Sequence, residues 1–299
     1  MFFKNLQLYR ITAPFSLHAN SIHEAMEGFA LQACPPHEMQ SEGWISPRQN
    51  DLLVHAVNQQ LLLRFATEKK LLPASVINQV TKARAAELEE QQGFAPGRKA
   101  MKELKERVHD ELLPRAFSIR KETNVWIDPV NGWLGIDTST PARSDDVVKY
   151  LLKCFDNLSL EALRTKTSPQ AAMTLWLSTD EAPHSFTIDQ DAELKSSNED
   201  KATVRYVRHT LDPVDIKRHI DAGKLSTKLA MTWNDRISFV LTEKMDLRRI
   251  KPLQVMDDTQ DKGANEEERF DSDFTLMAGE LAQLLQSLVD ALDGIQSRT

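Results

Sequence analysis

Two clusters of basic residues are the strongest chemical signal in this chain of 299 residues. In the first, Arg98, Lys102 and Lys105 fall at i, i+4 and i+7, one face of a helix, with Lys99 about a quarter turn away. Glu103, Glu106, Asp110 and Glu111 share the stretch, so the competing reading is a solvated face held by intrahelical pairs. Just beyond, residues 112–121 set Phe117 among Arg115, Arg120 and Lys121. That Phe reads either as a core plug at a helix exit or as an exposed apolar contact to DNA or a partner subunit. The second cluster begins with Arg205, Arg208 and His209. It continues through Lys217, Arg218, Lys224 and Lys228 to Arg248, Arg249 and Lys251. Strand alternation puts Leu225, Thr227, Leu229, Met231 and Trp233 on one side and Lys224 with Lys228 on the other, a cationic edge. Dispersed point charges of this kind grip phosphate backbones without reading bases.

Enzyme signatures come close and fail. Residues 93–100 resemble a phosphate loop, but the glycines are one residue too close and no Ser or Thr follows the Lys. His23-Glu24 continues as Ala25-Met26-Glu27, without the second zinc histidine. Asp257, Thr259, Asp261 and Glu268 mimic a calcium loop, yet its sixth position is Lys262 where the turn needs Gly. No nucleophile elbow is present. The expectation is a protein that is not an enzyme and carries no cofactor or metal. Two rivals remain: a metal-dependent nuclease built on the carboxylates of residues 257–273, and an interaction module whose basic clusters bind an acidic protein.

Net charge first argues against nucleic acid: 37 basic against 44 acidic residues give −7. The charge is segregated, however. Residues 64–121 carry +5 and residues 201–251 carry +6, while residues 122–200 and 252–299 carry −8 each. Blocks of this size describe a dipolar molecule with one surface suited to an anion. Cys34 and Cys154 are too isolated for a zinc site and read as small buried hydrophobes of a reducing cytoplasm. The most apolar stretch, residues 52–65, is broken by His55, Asn58, Gln59, Gln60 and Arg64, so no membrane span is expected. Lys4, Asn5, Gln7 and Arg10 likewise break any secretory signal.

The elements that must position these clusters are mostly hairpins and amphipathic helices. Residues 2–11 read as a strand, and Ser21 with Glu24 as the capping box of a short helix. Residues 52–57 and 61–65 form a hairpin around Asn58-Gln59-Gln60. Pro73 opens a helix that Gly93 breaks; Met101, Leu104, Val108 and Leu112 make the apolar stripe of the next, which Pro114 stops. Asn131-Gly132 joins a second hairpin, and a helix through Val147, Leu151 and Phe155 follows. Residues 173–177 look like a strand and residues 189–200 like a polar loop or short helix. Asp212-Pro213 starts a helix ending at Gly223. A hairpin then turns at Asn234-Asp235, and Met277, Leu281, Leu284, Leu285, Leu288 and Leu292 close the chain with an amphipathic helix. The fold class is α+β, with antiparallel sheets and packed helices. Four parts are expected: an α+β part (1–70), a helical basic projection (71–123), a second α+β part (124–200) and a basic meander with the final helix (201–299).

The chain resembles the RdgC family of recombination-associated nucleoid proteins. The resemblance rests on Phe3-Lys4-Asn5-Leu6 with Tyr9-Arg10, Leu112-Leu113-Pro114-Arg115-Ala116-Phe117, and Trp126-Ile127-Asp128 with Asn131-Gly132. It continues in His219-Ile220-Asp221-Ala222-Gly223-Lys224, Thr227-Lys228-Leu229-Ala230, Trp233, Arg236-Ile237, Phe239-Val240 and residues 269–281. The resemblance implies a binder of double-stranded DNA with little sequence preference, acting as an elongated, curved monomer that closes into a ring-shaped homodimer around the duplex. It also implies restraint of recombinase-driven strand exchange and a cytoplasmic, nucleoid-associated location. On the family pattern Arg98, Lys99, Lys102 and Lys105 match a basic helix, Arg115 and Phe117 a tip, and Arg205 and Arg208 a basic run facing the hole. Val207 and His209 depart from that run and weaken its charge.

Overall fold

The computed structural model describes residues 3–15, 18–48, 51–196, 202–253 and 265–296. The first half of the chain runs β1 (Gln7–Ile11), α1 (Ala19–Glu27), β2 (Gln40–Ile45), β3 (Val54–Val57) and β4 (Gln60–Lys70). It continues with α2 (Ala74–Gln92), α3 (Arg98–Leu112), β5 (Ser118–Asp128), β6 (Trp133–Ile136), α4 (Pro141–Cys154) and β7 (Leu160–Ala162). The second half contains α5 (Pro169–Thr179), β8 (Phe186–Ser196), β9 (Thr203–Tyr206), α6 (Pro213–Asp221) and β10 (Lys224–Trp233). It ends with β11 (Ile237–Thr242), β12 (Leu247–Pro252) and α7 (Glu266–Ala291). The expected α+β class with antiparallel sheets is what this order builds.

The first sheet has the order β2-β4-β5-β6-β1-β7, with β3 also on β4. Every ladder in it is antiparallel. Hairpin turns set its register: Asn58 and Gln59 both take left-handed φ (50° and 62°), the two-residue turn that suits strand twist. Period-two alternation then splits its side chains. Leu63, Phe65, Val125 and Ile127 pack under Ile22 and Met26 of α1 and Val147 and Leu151 of α4. Leu62, Trp126 and Trp133 join a second core on the other side. Gly43 lets β2 approach the chain after α1, since a Cβ there would lie 2.5 Å from the Leu31 backbone nitrogen.

The second sheet, order β12-β11-β10-β8-β9, gives Leu229, Met231, Trp233 and Phe239 to that same second core. Helix α7 supplies Phe274, Met277, Leu281, Leu284 and Leu288, so one amphipathic helix fastens the two sheets together. Polar bonds reinforce the joint. Leu6 and Leu247 exchange backbone bonds of 2.7 and 3.0 Å, and Arg236 makes a two-pronged pair with the buried Glu280. At the N-terminal end of α7, Asp271 lies 3.2 Å from both Arg48 and His55.

Several expectations need correction. Residues 173–177 are helical, inside α5, where Ser168 caps the Ala171 N–H and Pro169 takes the first turn. A short apolar run buried on most sides carries no periodicity that separates helix from strand. Residues 186–196, which cover most of the expected loop, are strand β8; its polarity is that of a strand with one open face. Helix α1 starts at Ala19 without a side-chain cap, so the Ser21–Glu24 box is not used. Cys34 and Cys154 are half-buried rather than buried, with burial pushing the Cys154 thiol up to about 11. Among the described residues no helix is long and apolar enough to cross a membrane.

Candidate nucleic-acid interface

Helices α2 and α3 form a hairpin between β4 and β5. Its apolar seam (Ile77, Thr81 and Ala85 against Leu104 and Val108) belongs to neither main core. Arg84 and Glu111 clamp the two helices with bonds of 2.7 and 2.9 Å. The hairpin is therefore an arm carried on two long strands. Its outer end is Gly93–Gly97, with Gly93 in the left-handed region (φ 77°) and Phe94 exposed beside it.

The predicted cationic face lies on this arm as expected. Arg98, Lys99, Lys102 and Lys105 are all exposed. Lys102 reaches Glu106 at 3.8 Å, whereas Arg98, Lys99 and Lys105 have no ion partner among the described residues. His109 continues the same stripe one turn on. Arg98 and Lys99 occupy the first turn of α3, after a Gly97 cap that supplies no side-chain acceptor. Cations at that end oppose the helix dipole, and the first turn of α3 holds no acidic residue to compensate. Local stability does not account for their position.

The family pattern implies a tip at Arg115 and Phe117, whereas the Leu112–Phe117 motif lies at the root of the arm. Leu113–Arg115 form a 3-10 turn, and the Leu71 N–H bonds the Phe117 carbonyl at 2.6 Å as the chain re-enters the sheet. Phe117 is 85% exposed, which eliminates the core-plug alternative within one subunit. Ile119 and Leu71 are exposed beside it. Arg115 is exposed, Arg120 faces Glu68 at 3.6 Å, and Lys121 borders a hollow of about 390 Å³ floored by Arg143. About 22 Å of helix separates Arg98 from this root.

The second cluster is arranged otherwise than the sequence suggested. Arg205 of β9 and Lys228 of β10 stand directly opposite Glu193 of β8 in their ladders. Glu193 takes Arg205 Nε at 2.6 Å, Lys228 Nζ at 3.0 and 3.1 Å, and Thr227 Oγ1 at 2.9 Å. Burial alone would raise the Glu193 carboxyl, but the bonds from Lys228, Thr227 and Arg205 outweigh it and hold it below its ordinary value. Two residues earlier on β8, Asp191 accepts from the Arg208 backbone N–H at 2.8 Å and from Arg249 at 3.0 Å. Arg208 and Arg249 both take left-handed φ (50° and 52°), a conformation costing about 1 kcal/mol for a non-glycine residue. Asp191, Glu193, Arg205, Lys228 and Arg249 line an open hollow of about 270 Å³.

The remaining members diverge. Lys224 and Lys228 do not share a side: a bulge at Thr227 inserts one extra residue, so Lys224 keeps the face of Ser226 and Leu194 while Lys228 turns to Glu193. Arg248 pairs with Asp246 at 3.6 Å and is not among the residues that line the hollow. His209 is exposed, with its ring Nδ1 2.7 Å from the Thr210 carbonyl. The structure thus gathers Arg205, Lys228 and Arg249 and keeps them apart from the arm cations. Asp191 and Glu193 escape the sequence reading because residues 189–200 read as a polar loop or short helix; the alternation of Asp189, Asp191 and Glu193 with Ala192 and Leu194 is the available signal.

The acidic rival also changes. Asp257, Thr259 and Asp261 lie outside the described residues. Glu268 closes a capping box with Asn265, and Glu267 and Asp271 hold Arg48. Among the described residues no cluster of three ligating side chains is placed to hold a metal ion.

Comparison with known proteins adds a whole-chain match. Residues 1–295 match the family model described as "Putative exonuclease, RdgC". The recombination-associated protein RdgC of Herminiimonas arsenicoxydans is 58% identical over 299 residues, covering both chains completely. That of Janthinobacterium sp. (strain Marseille) is 57% identical over 98% of each chain, and that of Bordetella pertussis 56% over 98% of this chain and 99% of its own.

Proposed function

The chain belongs to the RdgC family of recombination-associated proteins, and from that premise we propose that it binds double-stranded DNA through the phosphate backbone, without sequence preference and without catalysis. The binding form is a homodimer that closes as a ring around the duplex. Its role is to restrain recombinase-driven strand exchange on nucleoid DNA. The observation that carries the reading is the row of exposed arm cations, Arg98, Lys102 and Lys105. Only Lys102 among them has an ion partner among the described residues, and Arg98 sits in the first turn of α3, where a cation opposes the helix dipole. Such a row matches a phosphate backbone, which is read by point charges and leaves base edges untouched. The exposed Phe117 at the root of each arm supplies an apolar anchor for a self-complementary contact, as two-fold closure requires. Acidic partners are a weaker fit for the arm, because its cations form one straight row, the pattern of a regularly charged backbone.

The test is duplex binding across a salt series. Contact with about 6–10 phosphates should weaken affinity by about 10³–10⁵ between 50 and 200 mM salt. A flat response refutes phosphate binding. The same duplex incubated with Mg²⁺ or Mn²⁺ should stay intact, whereas cleavage supports the nuclease. Salt-resistant retention on circular DNA with loss from linear DNA supports closure. Sedimentation of a monomer at micromolar concentration refutes it.

A further inference from the structure

The Glu193 ladder has a property that ordinary sheet packing does not require. One carboxylate, side chain 14% exposed, receives an Arg, a Lys and a Thr hydroxyl on an otherwise open sheet face. Both cations are themselves substantially exposed, at 67% for Arg205 and 38% for Lys228. Two oxygens sharing one negative charge and collecting guanidinium, ammonium and hydroxyl donors is also the donor pattern of a phosphodiester. Next to it, Asp191 holds Arg249 and the Arg208 backbone, both bent into left-handed conformations to reach it. Two carboxylates thus cancel most of the charge of Arg205, Lys228 and Arg249.

We infer that Glu193 occupies a DNA-phosphate subsite on the second sheet as an internal substitute for the phosphate, so that this surface engages DNA only by exchanging Arg205 and Lys228 from Glu193 to the backbone. The inference rests on the DNA-binding reading above. It makes the two basic surfaces unequal. The arm cations are ready to bind, while the sheet cations are released only when a phosphate is already close enough to compete. Glu193 is thereby a residue that sets affinity, as distinct from one that contacts DNA.

The test is duplex binding at about 0.1 M salt by Glu193→Gln, with Arg205→Ala in both backgrounds. Freeing cations for even one additional phosphate contact is worth about eightfold at that salt. The expected result is about tenfold or more tighter binding by Glu193→Gln, reduced but not abolished when Arg205→Ala is added, since Lys228 stays released. Asp215→Asn removes an equal charge from the exposed Arg218 pair on α6 and should leave affinity unchanged. Unchanged or weaker binding by Glu193→Gln overturns the inference, and so does equal tightening by Asp215→Asn, which would be a net-charge effect. If the amide variant does not fold, Glu193→Asp is too short to span both cations and should show part of the gain; no gain overturns the inference. A wild-type protein that ignores duplex DNA overturns the DNA reading together with this one. Salt-dependent wild-type binding with no effect at position 193 overturns this one alone.

Discussion

Replacing Lys102 and Lys105 by Ala is the sharpest perturbation of the arm, because both side chains are exposed and their loss leaves the seam of Leu104 and Val108 intact. Each phosphate neutralised contributes about 0.9 to the slope of log affinity against log salt. Two lysines in each of two protomers, all on phosphates, make about 3.6 of slope. Since that contribution vanishes near 1 M salt, the loss at 0.1 M is about 4,000-fold. Lys102 gives up one 3.8 Å pair with Glu106, and Lys105 gives up none among the described residues. Surface changes of this kind shift stability little, so the melting temperature should stay within about 2 °C of wild type. The assay is fluorescence anisotropy on one labelled duplex at four or more salt concentrations, with a thermal melt as control. An unchanged slope with unchanged melting would refute the arm as a phosphate surface. A loss of affinity at constant slope would show that the lysines act through something other than counterion release.

Three further outcomes follow from buried groups. Arg143 threads between β4 and β5, donating to Thr123 Oγ1 at 2.9 Å, to the Phe65 and Lys121 carbonyls at 3.3 and 3.2 Å, and to Thr67. Arg143→Ala should therefore cost about 2–4 kcal/mol by leaving buried acceptors unpaired, read by chemical denaturation, and Arg143→Lys should not restore it. Burial holds the His55 imidazole below its ordinary value, with Asp271 opposing and Arg48 reinforcing that shift. The unfolded chain then takes up this proton first on acidification, so the stability it confers is complete above about pH 6.5 and falls as pH drops toward the folded-state value. Melting temperature should decline over that window, and His55→Gln should flatten the decline. Cys154, its thiol pushed up to about 11, should react with iodoacetamide much more slowly than Cys34 at pH 8, as mass spectrometry of the two peptides would show.

Much of the fold was legible because its signals are local. The Asn58-Gln59 and Asn131-Gly132 turns, the Asp212-Pro213 helix start and the leucine stripe of α7 each depend on neighbouring residues, and each stands where expected. The misses arise where a long-range partner decides. Met173, Trp176 and Leu177 are helical because α5 packs on β10, a contact no local pattern encodes. Residues 186–196 are a strand because β10 and β9 flank them on either side. That single error propagated into the site. With that segment read as a polar loop or short helix, Arg205, Lys228 and Arg249 count as free charge, and the carboxylates that bind them do not register as partners. Likewise strict alternation placed Lys224 beside Lys228, and one bulge residue, Thr227, reverses the answer. The arm fared better because i, i+4 spacing on an isolated helix needs no partner to be interpreted.

On the proposed reading a chain of net charge −7 has to meet a polyanion, and the arm is the surface suited to that approach. At about 0.1 M salt, charges further apart than about 10 Å are largely screened from each other. What a duplex senses on approach is therefore the charge within that radius, and the total for the molecule matters little. Helix α3 spans about 22 Å, roughly two screening lengths, and begins with Arg98 and Lys99 at its outer end. A duplex arriving there meets Arg98 and Lys99 close to Glu89 and Glu90 of α2 and Glu103 and Glu106 of α3, so the arm's advantage is that its cations are exposed and, Lys102 apart, without ion partners among the described residues. On the second sheet the carboxylates of β8 sit inside the screening radius of every cation nearby, so approach there is close to neutral. Lowering the salt should then speed association mainly through the arm. If neutralising Arg205 slows association as much as neutralising Lys102 and Lys105 together, the division between the two surfaces does not hold.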